Sequence, residues 1–297
     1  MKLRVLGSCA GGGLPQWNCG GANSTRARRG DPDLPPRTQP SLAVSADGRR
    51  WTLLNASPDV RQQLAAFPAL HPREGTRDLP LDGVVLTSAE LDHALGLLVM
   101  REALSYRVLS TAWVRSALLD HNAAWRLLEP SWGCAALDTP LPLDRDGTLE
   151  ARFFPVAPKL PPFLRDLAKP CPETTVGLRI TDRGSGARLV FAPGLGRLDS
   201  ATLAELGAAD LRIVDGTFFT TDELQGLRPG APDAFAMGHV PITGPDSSLA
   251  SLAELPGRSF YIHMNNTNPV LDLGSPERAR VERLGVGVCE DGMELEV

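Results

Sequence analysis

The chain has 297 residues, 42% of them hydrophobic and 22% charged, which bounds it as a globular protein able to bury a sizeable core. Its formal charge of −5 argues against a nucleic-acid or acidic-membrane partner, since either would repel a net-negative surface. The five scattered cysteines (Cys9, Cys19, Cys134, Cys171 and Cys289) include no C-x-x-C pair; they do not form a disulfide framework and suit a reducing, cytoplasmic compartment.

The first strand, Leu3 to Leu6, begins almost at Met1, so no secretory leader is expected. It empties into Gly7-Ser8-Cys9-Ala10-Gly11-Gly12-Gly13, which lacks the Gly-Lys-Ser/Thr ending of a phosphate-binding loop. The irregular run reaches about Gln39, and loops of that length inside a compact domain are usually functional. Arg26, Arg28 and Arg29 within it read as a solvated basic stretch. Ser41 to Ser45 and Trp51 to Asn55 form a hairpin across Ala46-Asp47-Gly48-Arg49. Ser57-Pro58-Asp59 opens a helix, with Ser57 as N-cap, Pro58 at the first helical position and Asp59 against the positive end of the dipole.

Asp82 to Leu86 reads as a buried strand, followed by a polar segment and a helix carrying Leu95, Leu97, Leu98 and Met100. A strand near Val108 to Val114 and a helix around Ser116 to Leu128 come next. Strands follow at Leu149 to Pro155, Thr175 to Thr181 and Arg188 to Ala192. The segment 157–172, with five prolines, reads as an ordered loop or lid. A helix over Asp199 to Ala208, a strand Leu211 to Val214, a helix Ser247 to Leu255, a strand Ser259 to His263, and a closing helix with two strands complete the chain. No apolar stretch approaches the ~20 residues of a membrane helix. With no linker in sight, residues 1–297 are expected to form one α/β domain of two packed mixed sheets with helices on both outer faces.

Polar residues gather at the carboxyl ends of these strands, where open α/β sheets place their sites. Thr87-Ser88-Ala89-Glu90-Leu91-Asp92-His93 follows one strand, Asp215-Gly216-Thr217 a second, and His263-Met264-Asn265-Asn266-Thr267-Asn268-Pro269 a third. His239 lies in a Gly-His loop between the last two, so three of the five histidines fall in these segments. Adjacent Asp92 and His93 either serve one metal, with His263 closing a triad, or cap and pack the first turn of the next helix. Two imidazoles and one carboxylate with open positions suit non-haem Fe(II). Glu90 either orients a ligand or is solvated. Asp215 and His239 suit an acid/base pair, and His239 alone could equally be a loop histidine bonded to a carbonyl. His71 and His121 read as structural or surface residues.

Ser88-x-Glu90-x-Asp92-His93 resembles the H-x-H-x-D-H signature of the metallo-β-lactamase fold with its first two histidines replaced. Asp215, His239 and His263 resemble the later segments of the tRNA-processing branch of that superfamily. A closer resemblance rests on Gly11 to Cys19, Arg37-Thr38-Gln39, Leu54-Asn55-Ala56-Ser57-Pro58-Asp59, Leu91-Asp92-His93, Ile262 to Pro269 and Asp291 to Glu296. In order and from Leu3 to Val297, these segments are similar to the family of pyrroloquinoline quinone (PQQ) biosynthesis proteins B.

The resemblance implies a metallo-β-lactamase-like αββα sandwich and a cytosolic step in PQQ biosynthesis. That step would be iron- and O2-dependent hydroxylation of the tyrosine-derived ring of a cross-linked Glu-Tyr intermediate. Fe(II) would sit on Asp92, His93 and His263, with Zn(II) able to fill the site on purification. Asp215 and His239 would handle protons, and Ser88 and Glu90 would support the ligands. Gln16, Trp17, Arg37, Asn265 and Asn266 are the candidates for holding the substrate. Loss of two signature histidines leaves one metal position, which argues against two-metal hydrolysis. The alternatives are a soluble carrier for transport of PQQ or its precursor to the periplasm, or a metal-dependent hydrolase of the same fold. The family usually carries a zinc-binding C-x-C-x-x-C cluster starting where Cys19 stands; Gly21 and Ser24 occupy the other two positions, so no structural zinc is expected there. The expected partners are an amino-acid-derived small molecule and O2, with neither nucleic acid nor membrane, and a homodimer is compatible with the sequence.

Overall fold

A computed structural model of the chain describes residues 1–102, 106–156 and 158–297. The first half runs β1 (Lys2–Gly7), α1 (Ala22–Arg28), β2 (Ser41–Ser45), β3 (Trp51–Leu54), α2 (Val60–Ala65), β4 (Leu81–Val85), α3 (Leu91–Ala94), α4 (Gly96–Val99), β5 (Arg107–Ser110), α5 (Ala112–Leu119) and β6 (Trp132–Cys134). The second runs β7 (Leu141–Pro142), β8 (Leu149–Pro155), β9 (Val176–Asp182), β10 (Arg188–Ala192), α6 (Ser200–Gly207), β11 (Leu211–Asp215), α7 (Leu249–Glu254), β12 (Arg258–Ile262), α8 (Pro276–Arg283), β13 (Val286–Val288) and β14 (Glu294–Glu296).

Two seven-stranded sheets result, in the orders β14-β1-β2-β3-β4-β5-β6 and β13-β12-β11-β10-β9-β8-β7. Both are mixed: β3 through β6 run parallel in the first, β10 through β13 in the second, and the remaining pairs are antiparallel. The period-two alternation of side chains sorts each strand between two cores. Leu3, Val5, Val85 and Leu109 of one sheet meet Phe153, Leu178, Phe191 and Ile213 of the other. Leu6, Val84 and Val108 face outward to Val60, Leu97 and Val114 on helices α2, α4 and α5. Val190, Val214 and Tyr261 face the opposite way, to Leu206, Leu249 and Val281 on α6, α7 and α8. The layers are therefore helix, sheet, sheet, helix, as expected.

Several local expectations are corrected. The long N-terminal run contains a helix, α1; Arg28 and Arg29 are exposed as expected, and Arg26, its side chain 39% exposed, also pairs with Asp31 and Asp272. Ser57 is not the N-cap: helix α2 starts at Val60, whose N–H donates to the Ser57 carbonyl at 3.0 Å, and the Asp59 carboxylate accepts from Gln39 N at 2.9 Å. The strand expected to reach Val114 ends at Ser110, because the Thr111 hydroxyl accepts from Val114 N and caps α5. Of the proline-rich segment, Ala157 lies outside the described residues; the remainder is a loop with a 3-10 turn at Pro162–Leu164, anchored by buried Leu164. Among the described residues, no helix is long and apolar enough to cross a membrane.

Candidate metal centre

Strands β4, β11 and β12 deliver three polar segments to one edge of the sandwich. Asp215 closes β11 and is in register with Ile262 of β12, so His263 emerges beside it. From the other sheet, the Thr87 carbonyl accepts from Val176 N at 2.9 Å, which ties the β4 exit to the neighbouring sheet. Asn55, in the left-handed region at φ 63, presents its side-chain oxygen to Thr87 N at 2.9 Å and fixes that exit. Asn tolerates this conformation better than most residues. Gly96 N donates to the Ala56 carbonyl at 2.9 Å, and a Cβ at Gly96 would lie 2.3 Å from the Ser57 carbonyl. This close approach seats α3 and α4, and with them Asp92 and His93.

Asp92 does not cap α3. Its Oδ2 lies 3.1 Å from His263 Nε2, a contact spanning 171 residues of sequence. The His93 Nδ1 meets the Ser88 hydroxyl at 2.8 Å, which leaves His93 Nε2 buried and without a hydrogen-bond partner. Buried polar atoms rarely go unpaired, and an orphaned imidazole nitrogen beside a carboxylate and a second imidazole suits a metal ion. Donor atoms of Asp92, His93 and His263 all lie within 4.8 Å of one another, so the residues present fit a metal ion.

Behind this trio, Thr217 acts as a hub. Its hydroxyl donates to Asp215 Oδ1 at 2.5 Å and accepts from His263 Nδ1 at 2.8 Å. His239 Nδ1 donates to Asp215 Oδ2 at 2.6 Å, and Asp215 also accepts from Leu195 N and Thr217 N, each at 2.9 Å. Both imidazoles are thereby assigned a proton on Nδ1, which turns His263 Nε2 towards Asp92 and His239 Nε2 towards Lys159. Asp215, His239 and His263 also bring donor atoms together within 4.8 Å. Hydrogen bonds through Thr217 link these three side chains to one another and fix the ring of His263.

The electrostatics follow from burial and pairing. Burial opposes ionisation of Asp92, but His93 and His263 outweigh it and hold the carboxyl below the ordinary range. Burial likewise opposes ionisation of Asp215, and His239 and His263 reverse the balance. Burial pushes His93 down to about 4 despite Asp92, and lowers His239 despite Asp215. For His263 burial also lowers, yet the Asp215 and Asp92 carboxylates on either side carry it up to about 9. Glu90 is raised, chiefly by burial, with Lys159 opposing.

These groups open on a cavity of about 460 Å³ walled by Phe163 and Phe218 and floored by Asp92, His93, His239 and His263. Ser88, Glu90 and Asn265 also line it. The other four substrate-holding candidates lie elsewhere. Arg37 is buried, donating from Nη1 to the Cys289 carbonyl at 3.1 Å with Glu290 3.7 Å away. Asn266 donates to the Ser24 hydroxyl at 3.1 Å, Gln16 to the Asn18 side chain at 2.9 Å, and Trp17 is 85% exposed. Cys19 Sγ accepts from Gly21 N at 3.3 Å. Sequence reasoning missed Thr217, signalled only by its place after Asp215-Gly216, and Lys159, which no local pattern marks.

Residues 50–264 match the family model described as Beta-lactamase superfamily domain. With the αββα layers and a candidate metal-binding trio at the strand ends, this makes the chain a member of the metallo-β-lactamase superfamily. A diphosphatase from the PhnP family shares the fold at a TM-score of 0.65 with 18% identity, covering 100% of this chain and 96% of that one. Much more similar are the coenzyme PQQ synthesis protein B of Cupriavidus necator, 44% identical over 99% of both chains, and that of Azoarcus sp., 43% identical over 99% of both. The crystal structure of Zn(2+)-bound PqqB from Methylobacterium extorquens superposes at a TM-score of 0.94, with 39% identity and 100% of both chains covered. The chain belongs to the coenzyme PQQ synthesis protein B family.

Proposed function

We propose that the chain is a non-haem iron, O2-dependent hydroxylase that acts in the cytoplasm, in PQQ synthesis, on the tyrosine-derived ring of a cross-linked Glu-Tyr intermediate. The observation that carries the reading is the orphaned Nε2 of buried His93 beside Asp92 and His263. Two imidazoles and one carboxylate leave coordination positions open, and Fe(II) held there would supply the redox chemistry for reaction with O2. Zn(2+) in the relative from Methylobacterium extorquens is compatible with the same donors, which bind Zn(II) more tightly than Fe(II) as a rule. One metal position also disfavours two-metal hydrolysis: the Ser88 hydroxyl is committed to His93, and Glu90 faces Lys159.

The chain's own residues divide the remaining work. Asp215 holds His239 with Nδ1 protonated, so Nε2 is an acceptor at the cavity, which the Lys159 ammonium 3.1 Å away must yield before a substrate proton can reach it, and burial keeps the imidazole neutral. That is the state a general base needs to take a proton from a ring hydroxyl. Phe163 and Phe218 flank the cavity and suit a planar aromatic substrate while excluding water. Thr217 and Ser88 fix the ring orientations of His263 and His93.

The test is anaerobic loading with Fe(II), exposure to O2 with the Glu-Tyr-derived intermediate, and mass spectrometry. Gain of oxygen atoms that requires both iron and O2, and that disappears in Asp92→Ala, is the expected result. Binding without any mass change would replace the hydroxylase reading with a carrier, and turnover without O2 would replace it with a hydrolase.

A further inference from the structure

The proline-rich loop sends one side chain into the metal cavity. Lys159 Nζ lies 3.1 Å from His239 Nε2 and 3.4 Å from Glu90 Oε1. Its stem runs across Gly238, which is left-handed at φ +80; a Cβ there would sit 2.8 Å from Lys159 Cδ and 3.1 Å from Cγ. The glycine of the Gly-His loop thus has two physical reasons, its backbone conformation and the lysine stem laid over it.

An ammonium carries three N–H donors. His239 Nε2 takes one of them, while Glu90 Oε1 is buried and makes no hydrogen bond. The Lys159 side chain keeps 30% of its surface exposed, and it lines the cavity. Among the described residues, Lys159 is the one lysine or arginine that lines the cavity. Lys159 is therefore a cation with unused donors, facing the space where a substrate must lie.

We propose that Lys159 is the second cation of this site and receives a carboxylate of the substrate, with a single metal ion bound per chain. The proposal rests on reading the substrate as amino-acid-derived and hence carboxylate-bearing. A lysine binds such a group as a compact point charge.

The test uses the Zn(II)-loaded full-length chain and two probes, dihydrocaffeate and its primary amide. They share a catechol and differ in the carboxylate alone. Calorimetry should show wild type binding the acid about tenfold tighter than the amide. Lys159→Gln should lose that preference while still binding one Zn(II) and the amide as before, Lys159→Arg should restore part of it, and Gly238→Ala should weaken it. An unchanged preference in Lys159→Gln overturns the proposal. So does a wild type that binds the two probes equally or not at all, or that takes up a second Zn(II). No O2 is involved, so a failed hydroxylation assay leaves this result standing, and a lost carboxylate preference leaves the hydroxylation assay to be judged alone.

Discussion

Asp92 Oδ2 and His263 Nε2 lie 3.1 Å apart, so in the metal-free protein a proton holds together two groups that a metal would otherwise bridge. His263 is carried up to about 9 by its two carboxylate neighbours, while His93 is held down to about 4 and Asp92 stays ionised. Metal uptake between those values must displace one proton, and that proton belongs to His263. Zn(II) affinity should rise about tenfold per pH unit from about pH 6 towards about pH 9 and level off above. Chelator competition across that range reads the slope. A flat profile would show that the proton is not there.

The same shift sets the stability of the metal-free chain. His263 binds its proton more tightly in the folded protein, at about 9, than an ordinary imidazole does at 6.5. Its contribution is complete below the ordinary value and is lost as pH rises through the folded one. Melting temperature of the metal-free protein should therefore fall between about pH 7 and about pH 10, whereas the Zn(II)-loaded protein should lose much less. Parallel thermal scans with and without chelator make the comparison.

Asp92→Ala removes a proposed metal ligand and the counter-charge of His263 together. Metal content measured by mass spectrometry should drop to about a tenth or less of the wild-type value after dialysis against a weak chelator. His263 should then titrate well below about 9, a change visible as a downfield-shifted imidazole resonance that moves at lower pH. Full retention of metal would show that another residue completes the ligand set.

How far the sequence carries can be judged from particular residues. β10 was legible because Arg188–Ala192 is a short apolar run bounded by turn residues, and the two cores follow from alternation in such strands. Asp92 and His93 read from spacing alone as a helix cap and its first turn at least as well as a metal pair; the resemblance of Ser88-x-Glu90-x-Asp92-His93 to the H-x-H-x-D-H signature is what singled them out. The loop after β1 was not, because its order is imposed from the far end of the chain. Asp291 accepts from Ser8 N at 2.9 Å, Ser8 Oγ at 2.7 Å, Thr38 N at 2.6 Å and Thr38 Oγ1 at 2.8 Å. Arg37 misled for the same reason. An arginine can grip a substrate carboxylate, yet this one is buried away from the metal cavity, with its Nη1 donating to a carbonyl 252 residues away. Lys159 reaches His239 across 80 residues from a loop with no periodicity, so only the folded chain reveals it.

Thr217 supplies the sharpest test of how the ligands are held. Its hydroxyl sits between Asp215 Oδ1 at 2.5 Å and His263 Nδ1 at 2.8 Å, with His239 Nδ1 3.1 Å away. Valine fills the same volume without the hydroxyl, so Thr217→Val leaves a buried N–H of His263 without its acceptor and removes one donor from Asp215. The expected cost is about 1–3 kcal/mol in urea unfolding of the metal-free protein, the usual penalty for an unsatisfied buried donor. Metal affinity should also fall about 10- to 100-fold, because His263 loses the partner that fixes its ring and tautomer. Thr217→Ser keeps the hydroxyl and should recover most of both. If valine weakened folding but left metal affinity untouched, the hub would be structural and His263 would be held by Asp92 and its own left-handed backbone at φ 65.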